Sequence, residues 1–435
     1  MVLTADELRE AWRLLSAEER SEGFRLLDRD DAEELFDQLD ARDQLSLILS
    51  LRDNQRRWWM RYLDPDDAAD VVQEADEEER EALLALLDES TRKEVAALLA
   101  YKEDEAGGLM NPRYARLRPD MSVDAAISYL RRQTRENIET IYYTYVFDAD
   151  QRLVGVVSLR DLMMAPPGRL VRDVMETDLV TVTDETDQEV LSNMFARHDL
   201  MAIPVVDDDG RMKGIVTVDD IVDVFREEAT EDMHKMGGTE ALEEPYLQIG
   251  LMGLLKKRVV WLAILLVLGF FTVLAMRGNS ATLAEMRFLA FFVPMIIASG
   301  GNSGSQASTL VVRAIALGEV RPRDWWRVIR REVWVGLALG ATLAALAYVG
   351  VEIWLAFDSS IAGEHVRLAG LTVAVSILAV ALWGSLVGTT LPLALRALGL
   401  DPASASAPLV ATLIDATGLM IYFTTAALII DLPDG

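Results

Sequence analysis

Apolar residues along this chain follow three rhythms in three successive stretches. In residues 1–104 they recur at three- and four-residue spacing, as in Leu83, Leu84, Leu86, Leu87 and then Val95, Leu98, Leu99. That is the stripe of a helix burying one face. Asp64-Pro65 reads as an N-cap followed by proline at the first helical position, and predicts a helix through Val72. Strand signals are weak, so an array of short, superhelically stacked helices is expected.

Residues 105–228 change to short apolar runs bounded by Asp and Gly, and they contain an internal repeat. Arg152-Leu-Val-Gly-Val-Val-Ser-Leu-Arg-Asp-Leu162 matches Arg211-Met-Lys-Gly-Ile-Val-Thr-Val-Asp-Asp-Ile221, 59 residues further on. Each copy predicts strand, turn, strand and a helix opened by Ser/Thr-x-x-Asp, a capping signature. Tyr142–Phe147 and Ile203–Val206 are the matching strands upstream. A repeat of this length and pattern resembles a pair of cystathionine-β-synthase (CBS) domains, which implies an α/β regulatory module. Such modules often sense adenine nucleotides or ions.

The chain leaves the repeat through an acid-rich helix carrying Glu227, Glu228, Glu231 and Asp232, then a Gly237-Gly238 break. A further helix ending at Leu251–Leu255 is expected to run into the first of five long apolar runs. These are Val259–Met276, Phe288–Val312, Val333–Phe357, Leu368–Leu395 and Pro408–Ile430. Each is long enough to cross a bilayer, which takes about 20 apolar residues as helix. None is N-terminal, so no cleaved signal peptide is expected.

Charge divides the same way. Residues 256–435 hold 11 acidic and 13 basic side chains; the remaining 59 acidic and 29 basic give residues 1–255 a net charge of −30. A soluble acidic module therefore precedes a near-neutral membrane domain, and no nucleic-acid partner is expected. Lys256, Lys257 and Arg258 precede the first run. Arg313, Arg321, Arg323, Arg327, Arg330 and Arg331 crowd the connection between the second and third, with Trp325 and Trp326 as interfacial anchors. The connection between the first and second has Arg277 and Arg287, and that between the third and fourth only Arg367. Positive flanks face the cytoplasm, so the acidic module is expected there and the C-terminus outside the cell membrane.

Two features carry candidate chemistry. Asp415 lies in an otherwise uncharged apolar run, and a charge at membrane depth costs roughly 2.5–3.5 kcal/mol on insertion scales. It persists by facing water, a partner or a passing cation. No basic residue lies within the five runs to pair with it; Glu352, near the end of the third, is the other acid. In the second run Ser299-Gly-Gly-Asn-Ser-Gly-Ser-Gln306 interrupts the apolar pattern, with Asn302 and Gln306 on one helical face. Small residues there serve helix packing. The two amides need partners, which favours a broken helix lining a pore through Gly300, Gly301, Asn302 and Gln306.

Several chemistries are excluded. The chain has no cysteine and three scattered histidines, His198, His234 and His365, so thiolate chemistry and a zinc cluster are not expected. No Walker-type GxxxxGK[ST] and no HExxH occurs, and the chain does not read as an enzyme.

The order of helical acidic domain (1–104), CBS pair (105–228), connecting helix (229–257) and five spans (258–435) resembles the MgtE family of magnesium channels from end to end. Pro294-x5-Gly-Gly-Asn-x-Gly-x-Gln306 is similar to that family's pore signature. So are Asp401-Pro-Ala with Pro408-Leu-Val-Ala-Thr-Leu-Ile-Asp415-Ala-Thr-Gly418, and Glu103-Asp-Glu-Ala-Gly-Gly-Leu-Met110. The resemblance implies a multidomain membrane protein: an all-α superhelical N domain, the CBS pair, a connecting (plug) helix and a five-helix transmembrane domain. It implies a homodimeric Mg2+ channel closed by cytosolic Mg2+, with Asp415 as pore carboxylate and Asn302 beside it. Regulatory metal would lie at Asp66, Asp70, Gly108, Glu189, Asp199, Asp220 and Asp223, at Glu228, Glu231 and Asp232, and at Asp401. By analogy with CBS modules, Arg160 and Asp161 would meet the phosphates and ribose of ATP. The alternative is a secondary transporter of another divalent cation, such as Co2+ or Ni2+, though softer metals favour His or Cys ligands that the spans lack. A nucleotide-sensing receptor would need neither Asp415 nor the amide-bearing motif.

Overall fold

The computed structural model describes residues 4–133, 138–166, 168–242, 246, 249–279, 287–357 and 366–430. His365 lies outside them. The chain divides into two compact units, Met1–Phe225 and Arg226–Gly435.

The first unit opens with eight short helices: α1 Ala5–Ala11, α2 Ala17–Leu26, α3 Arg29–Asp37, α4 Ala41–Ser50, α5 Asp53–Tyr62, α6 Pro65–Glu74, α7 Glu77–Leu84 and α8 Glu89–Leu98. Their N-cap residues are Thr4, Ser16, Asp28, Asp40, Arg52, Asp64, Asp76 and Asp88, one every twelve residues. The residue just ahead of each later cap is Leu15, Leu27, Leu39, Leu51, Leu63, Ala75 or Leu87, and all seven pack on one continuous hydrophobic core. At Thr4, Ser16, Asp28, Asp40 and Asp88 a side-chain oxygen accepts from the first turn, and an apolar neighbour anchors each later turn, so a helix of at most ten residues recurs in fixed register. Each such cap contributes about 1 kcal/mol. Asp64 opens α6 as its Asp-Pro pair predicts, but its side chain makes no cap bond; it faces Arg113 instead, 3.6 Å away.

Two three-stranded sheets follow. β1 Arg116–Leu117 lies parallel to β2 Tyr143–Phe147, which pairs antiparallel with β3 Leu153–Ser158; β4 Val182–Thr183, β5 Ala202–Val206 and β6 Met212–Thr217 repeat the arrangement. The helices α9 Val123–Gln133, α10 Leu159–Met164, α11 Gln188–His198 and α12 Val218–Met236 complete the two copies. Both capping signatures form: Ser158 Oγ donates to Asp161 (2.5 Å), and Thr217 Oγ1 to Asp220 (2.8 Å). The N-terminal helices share their apolar core with the second copy through Val182, Leu191, Phe195, Ile203 and Val216. The first copy has its own core around Val146, Val157 and Leu162.

In the second unit the long helices are α13 Leu251–Gly278, α14 Val293–Ala316, α15 Trp325–Phe357, α16 Val366–Ala397 and α17 Ala407–Ile430. The segment at Leu251–Leu255 is the start of α13, continuous with the first apolar run. Four candidate membrane spans meet length and apolarity criteria: Leu251–Gly278, Pro322–Trp354, Leu368–Ala397 and Ala407–Ile430. α14 has 24 residues and is long enough, but its Ser, Gly, Asn and Gln content dilutes its hydropathy. The expected break at the glycine motif is not observed, since α14 is continuous through it. Glycine's cost in a helix is outweighed here by close packing. A Cβ on Gly384 or Gly388 of α16 would collide with the carbonyl oxygens of Gly300 and Gly304 on α14. Ser303 Oγ meets Ser385 Oγ at 2.9 Å between them. Small residues four apart on both helices allow this backbone-to-backbone approach.

Candidate functional site

In the membrane unit the glycine notch places the acid. Ile414 of α17 fits against Gly300, where an added Cβ would lie 2.7 Å from its side chain. Ser308 Oγ holds the backbone ahead of α17 at Ala405 O (2.8 Å), and Ser305 Oγ does so at Ala407 O (3.1 Å). With α17 seated, the neighbouring Asp415 is half-buried against Gly301, whose Cβ position is 3.9 Å from Asp415 Oδ1. At Gly301 no side chain comes between the α14 backbone and that carboxylate. Asn302 and Gln306 lie on the exposed edge of α14, next to the face that carries Gly301 and Ser305. The structure therefore brings Asp415 and Gly301 together and leaves the two amides facing outward from a single chain.

The first unit holds a second concentration of acids, where α6 meets the second CBS copy. Asp66 is 8% exposed, and Asn111 is fully buried beside it. Asn111 Nδ2 donates to Asp66 Oδ1 (3.0 Å) and to Glu139 Oε2 (2.6 Å). The backbone of Asn111 is fixed by a reciprocal pair with Ile215 of β6, at 2.7 and 2.9 Å. Two residues on, Arg113 donates to Glu94 Oε2 (2.9 and 3.0 Å) and Thr91 Oγ1 (2.8 Å). Burial, and then the charges of Asp220, Asp67, Glu139 and Asp64, push the Asp66 carboxyl well above the usual range. Burial and its acidic neighbours push Glu139 up to about 8. Burial likewise raises Asp220 to about 7, although the Thr217 hydroxyl opposes it. These carboxylates want a positive charge that their neighbours supply only in part. All their donors are oxygens, as a hard divalent cation prefers. Among the described residues no three His, Cys, Asp or Glu side chains yet converge as a ready-made metal site.

The other candidates are more dispersed. Asp70, Asp199 and Asp223 are exposed and Glu189 is half-exposed; Asp199 ends α11 in the left-handed conformation at φ 52°. Gly108 is buried in a turn where a Cβ would strike the Lys102 carbonyl. Arg160 and Asp161 are exposed at the start of α10, and the Asp161 carboxylate is engaged by Ser158. Glu228 and Asp232 are half-exposed on α12. Glu231 and Asp401 are brought together by a residue that sequence reading missed: Lys235 Nζ lies 2.5 Å from Glu231 and 2.7 Å from Asp401. Asn111, Arg113 and Glu139 were missed as well. They lie outside any periodic element, although Asn111 directly follows the Glu103–Met110 motif.

Three family profiles match the chain. The MgtE intracellular N domain covers residues 3–104, CBS domains cover 106–168 and 171–227, and MgtE, described as a divalent cation transporter, covers 293–425. The magnesium transporter MgtE of Thermus thermophilus is 45% identical over 346 residues, 80% of this chain and 74% of that protein. The magnesium transporter MgtE of Bacillus subtilis is 33% identical over 351 residues, 79% and 73% of the two chains. Among solved structures, the cytosolic domain of the Mg2+ channel MgtE in complex with ATP is 41% identical, covering 51% of this chain and 90% of that one, with a TM-score of 0.48.

Proposed function

Since this chain belongs to the MgtE family of divalent cation transporters, we propose that it conducts Mg2+ through its membrane unit and is closed by cytosolic Mg2+ held on its acidic first unit. The observation that carries the conduction reading is the half-buried Asp415 carboxylate, an acid in an apolar helix, packed beside the backbone of Gly301. Mg2+ gives up its water reluctantly and is usually held by one or two carboxylates with several waters retained. A single carboxylate beside a glycine suits that need: it attracts the hydrated ion without stripping it, and lets it leave. Two chains about a two-fold axis would present two such carboxylates. Asn302 and Gln306, exposed on one chain, would then line the path with water-like oxygens and amide hydrogens. The orientation, with the first unit cytoplasmic and the C-terminus outside the cell membrane, is supported by the arginine-rich connection between α14 and α15, and the homodimer by the family resemblance alone.

The regulatory reading rests on Asp66, Glu139 and Asp220. A bound divalent cation would supply the charge these carboxylates lack. Asp66 and Asp220 come from different domains of the unit, so a ligand favouring their juxtaposition shifts the population toward it. We infer further regulatory ligands among Asp70, Gly108, Glu189, Asp199, Asp223, Glu228, Asp232 and Asp401, and an adenine nucleotide at Arg160 and Asp161 of α10.

The test is Mg2+ flux into liposomes through purified wild type and Asp415→Ala, with internal Mg2+ varied. Asp415→Ala should lose at least about tenfold of the flux, the consequence of removing roughly 1.4 kcal/mol of ion attraction. Wild-type flux should fall as internal Mg2+ rises. Unchanged flux in Asp415→Ala would remove the pore carboxylate from this account.

A further inference from the structure

The outward face of α15 changes character along its length. Contacts with the bundle fix the rotation of this helix. Val328 packs on a small apolar core made by Val311 and Ile315 of α14 and Leu393 of α16. A Cβ on Gly336 would lie 3.0 Å from Leu382 of α16, and one on Gly340 would lie 2.9 Å from the Leu378 carbonyl oxygen. Val328, Gly336 and Gly340 therefore look inward. Arg327, Arg330, Arg331 and Trp334 fall on the other side at i, i+3, i+4 and i+7, and all four are exposed. Ala338, Ala341 and Ala345 continue the same exposed stripe and make it a shallow apolar track. Trp334 to Ala345 covers about 16 Å of helix, close to the roughly 15 Å of hydrocarbon in one leaflet.

The protein leaves the charge at the head of this stripe largely unanswered. Residues 321–335 hold five arginines against two acids, Asp324 and Glu332. Arg327 is 86% exposed and reaches Asp324 at 3.4 Å. That carboxylate is already engaged, because it also accepts from Arg321 N at 3.3 Å. Glu332 is half-buried on the inward stripe, one turn after Val328. Among the described residues Arg323 and Arg330 have no carboxylate partner. Trp326 and Trp334 flank the arginines and are 62% and 70% exposed; tryptophan favours the headgroup level of a membrane. Beyond Glu332 the one remaining charge on α15 is Glu352, so the other end of the helix has no such cationic head.

We propose that this face of α15 is a binding site for an anionic phospholipid of one leaflet. Arg323, Arg327 and Arg330 hold the phosphate, and an acyl chain lies along Ala338, Ala341 and Ala345. A guanidinium fork meets a phosphate through two parallel hydrogen bonds, which an exposed, uncommitted arginine is free to make. A zwitterionic lipid carries the same phosphate but brings its own ammonium among the arginines, so the site selects by net charge. Small residues on a helix face also suit packing against another helix. A second copy meeting α15 through its own α15 would set the same arginines side by side at the same depth, and like charges at that distance repel. The lipid is therefore the occupant that the charge favours. This inference rests on α15 crossing a membrane and not on which ion is carried.

The chain has no cysteine, so Ala341→Cys can carry a single fluorophore on the full-length protein in nanodiscs of mixed phosphatidylcholine and phosphatidylglycerol. Each lipid is brominated in turn at unchanged composition, and quenching reports which one lies against the label. Brominated phosphatidylglycerol should quench about fivefold more per molecule, the preference expected from one arginine at a membrane surface. Arg323→Gln combined with Arg330→Gln should bring the two lipids level while total quenching stays the same. A label at Val349→Cys, exposed toward the other end of α15, should show no preference. Equal quenching by both lipids at Ala341→Cys would overturn the site, and that comparison stands if the double variant does not insert. An equal preference at Val349→Cys would mean an unselective lipid shell, and would overturn it too. Weak quenching by either lipid would mean that protein covers this face, as a second copy would. A preference abolished by millimolar glycerol phosphate would assign the arginines to a free anion and remove the lipid. Quenching does not depend on conduction, so a protein that fails the flux test can still show this pattern and keep the lipid site.

Discussion

Two places in this molecule hold carboxylates away from water, and they are built on opposite plans. Around Asp66 many acids converge and the protein answers them with its own donors, the Asn111 amide and the Arg113 guanidinium. Asp415 is a single acid on a helix of 24 residues, and what lies next to it is the bare backbone of Gly301. The crowded site can bring two domains together because each charge is shared across their boundary. The lone site offers one point of attraction with no charged neighbour on its own helix. A cation that must stay belongs in the first, and a cation that must pass belongs in the second.

The comparison is broken most directly by exchanging the losses. Asp415→Ala should abolish most Mg2+ flux and leave the joint between α6 and the CBS pair untouched. Arg113→Ala should do the reverse. Arg113 is 17% exposed and bonded to Glu94, and removing one partner of a buried pair costs roughly 3 kcal/mol. The chain has no cysteine of its own, so labels can be placed cleanly at Glu10 on α1 and Met163 on α10, both exposed. In EDTA, energy transfer between them should drop in Arg113→Ala and recover with Mg2+. Equal transfer in both proteins would mean that Arg113 does not hold the joint.

A smaller effect follows from protonation. Free Asp and Glu titrate near 4, whereas Asp220 and Glu139 are raised to about 7 and about 8 in the docked unit. Between those limits the separated domains bind fewer protons than the docked ones. The docked state is therefore fully favoured near pH 4 and weakens as pH rises through about 8. Energy transfer in EDTA should fall across that window, and Mg2+ should flatten the fall by taking the place of the protons. Asp66→Asn, which removes one charge from the set, should flatten it without metal. A transfer signal independent of pH in metal-free wild type would contradict the raised values.

Much of this architecture is legible in the chain. The 59-residue repeat is visible, strands β2 and β5 begin within one residue of expectation, and α6 starts where Asp64-Pro65 places it. The twelve-residue register of N-caps was equally present but is carried by single Asp, Ser and Thr residues rather than by the apolar stripe, so periodicity alone passes over it. The glycine motif misleads for a different reason. Local propensity says that Gly300, Gly301 and Gly304 break a helix, and only the facing Gly384 and Gly388 show why they do not. Asp415 stands out because a membrane makes any charge conspicuous. Among the 59 acids of residues 1–255 nothing in the chain marks Asp66 and Asp220 as neighbours, since 154 residues separate them and Glu139 sits in a segment without periodicity. Lys235 is one of six lysines, and its partner Asp401 lies far along the chain.

The finest division runs between the two copies of the capping signature. Ser158 with Asp161 and Thr217 with Asp220 make the same local bond, yet Asp161 is exposed while Asp220 faces Asp66. Ser158→Ala removes only a cap, so it should cost about 1 kcal/mol of local stability and leave docking unchanged. Thr217→Ala also removes a hydroxyl that favours the ionised form of Asp220. The Asp220 value should therefore rise, and a rise of roughly half a unit should leave docking unchanged at low pH but weaken it in EDTA at high pH by about 0.7 kcal/mol, extending the fall upward in pH. The energy-transfer titration in the two variants reads this directly. A shift in Ser158→Ala as large as in Thr217→Ala would mean that the caps act on docking only through the fold, and that the chemistry of Asp220 owes nothing to its place beside Asp66.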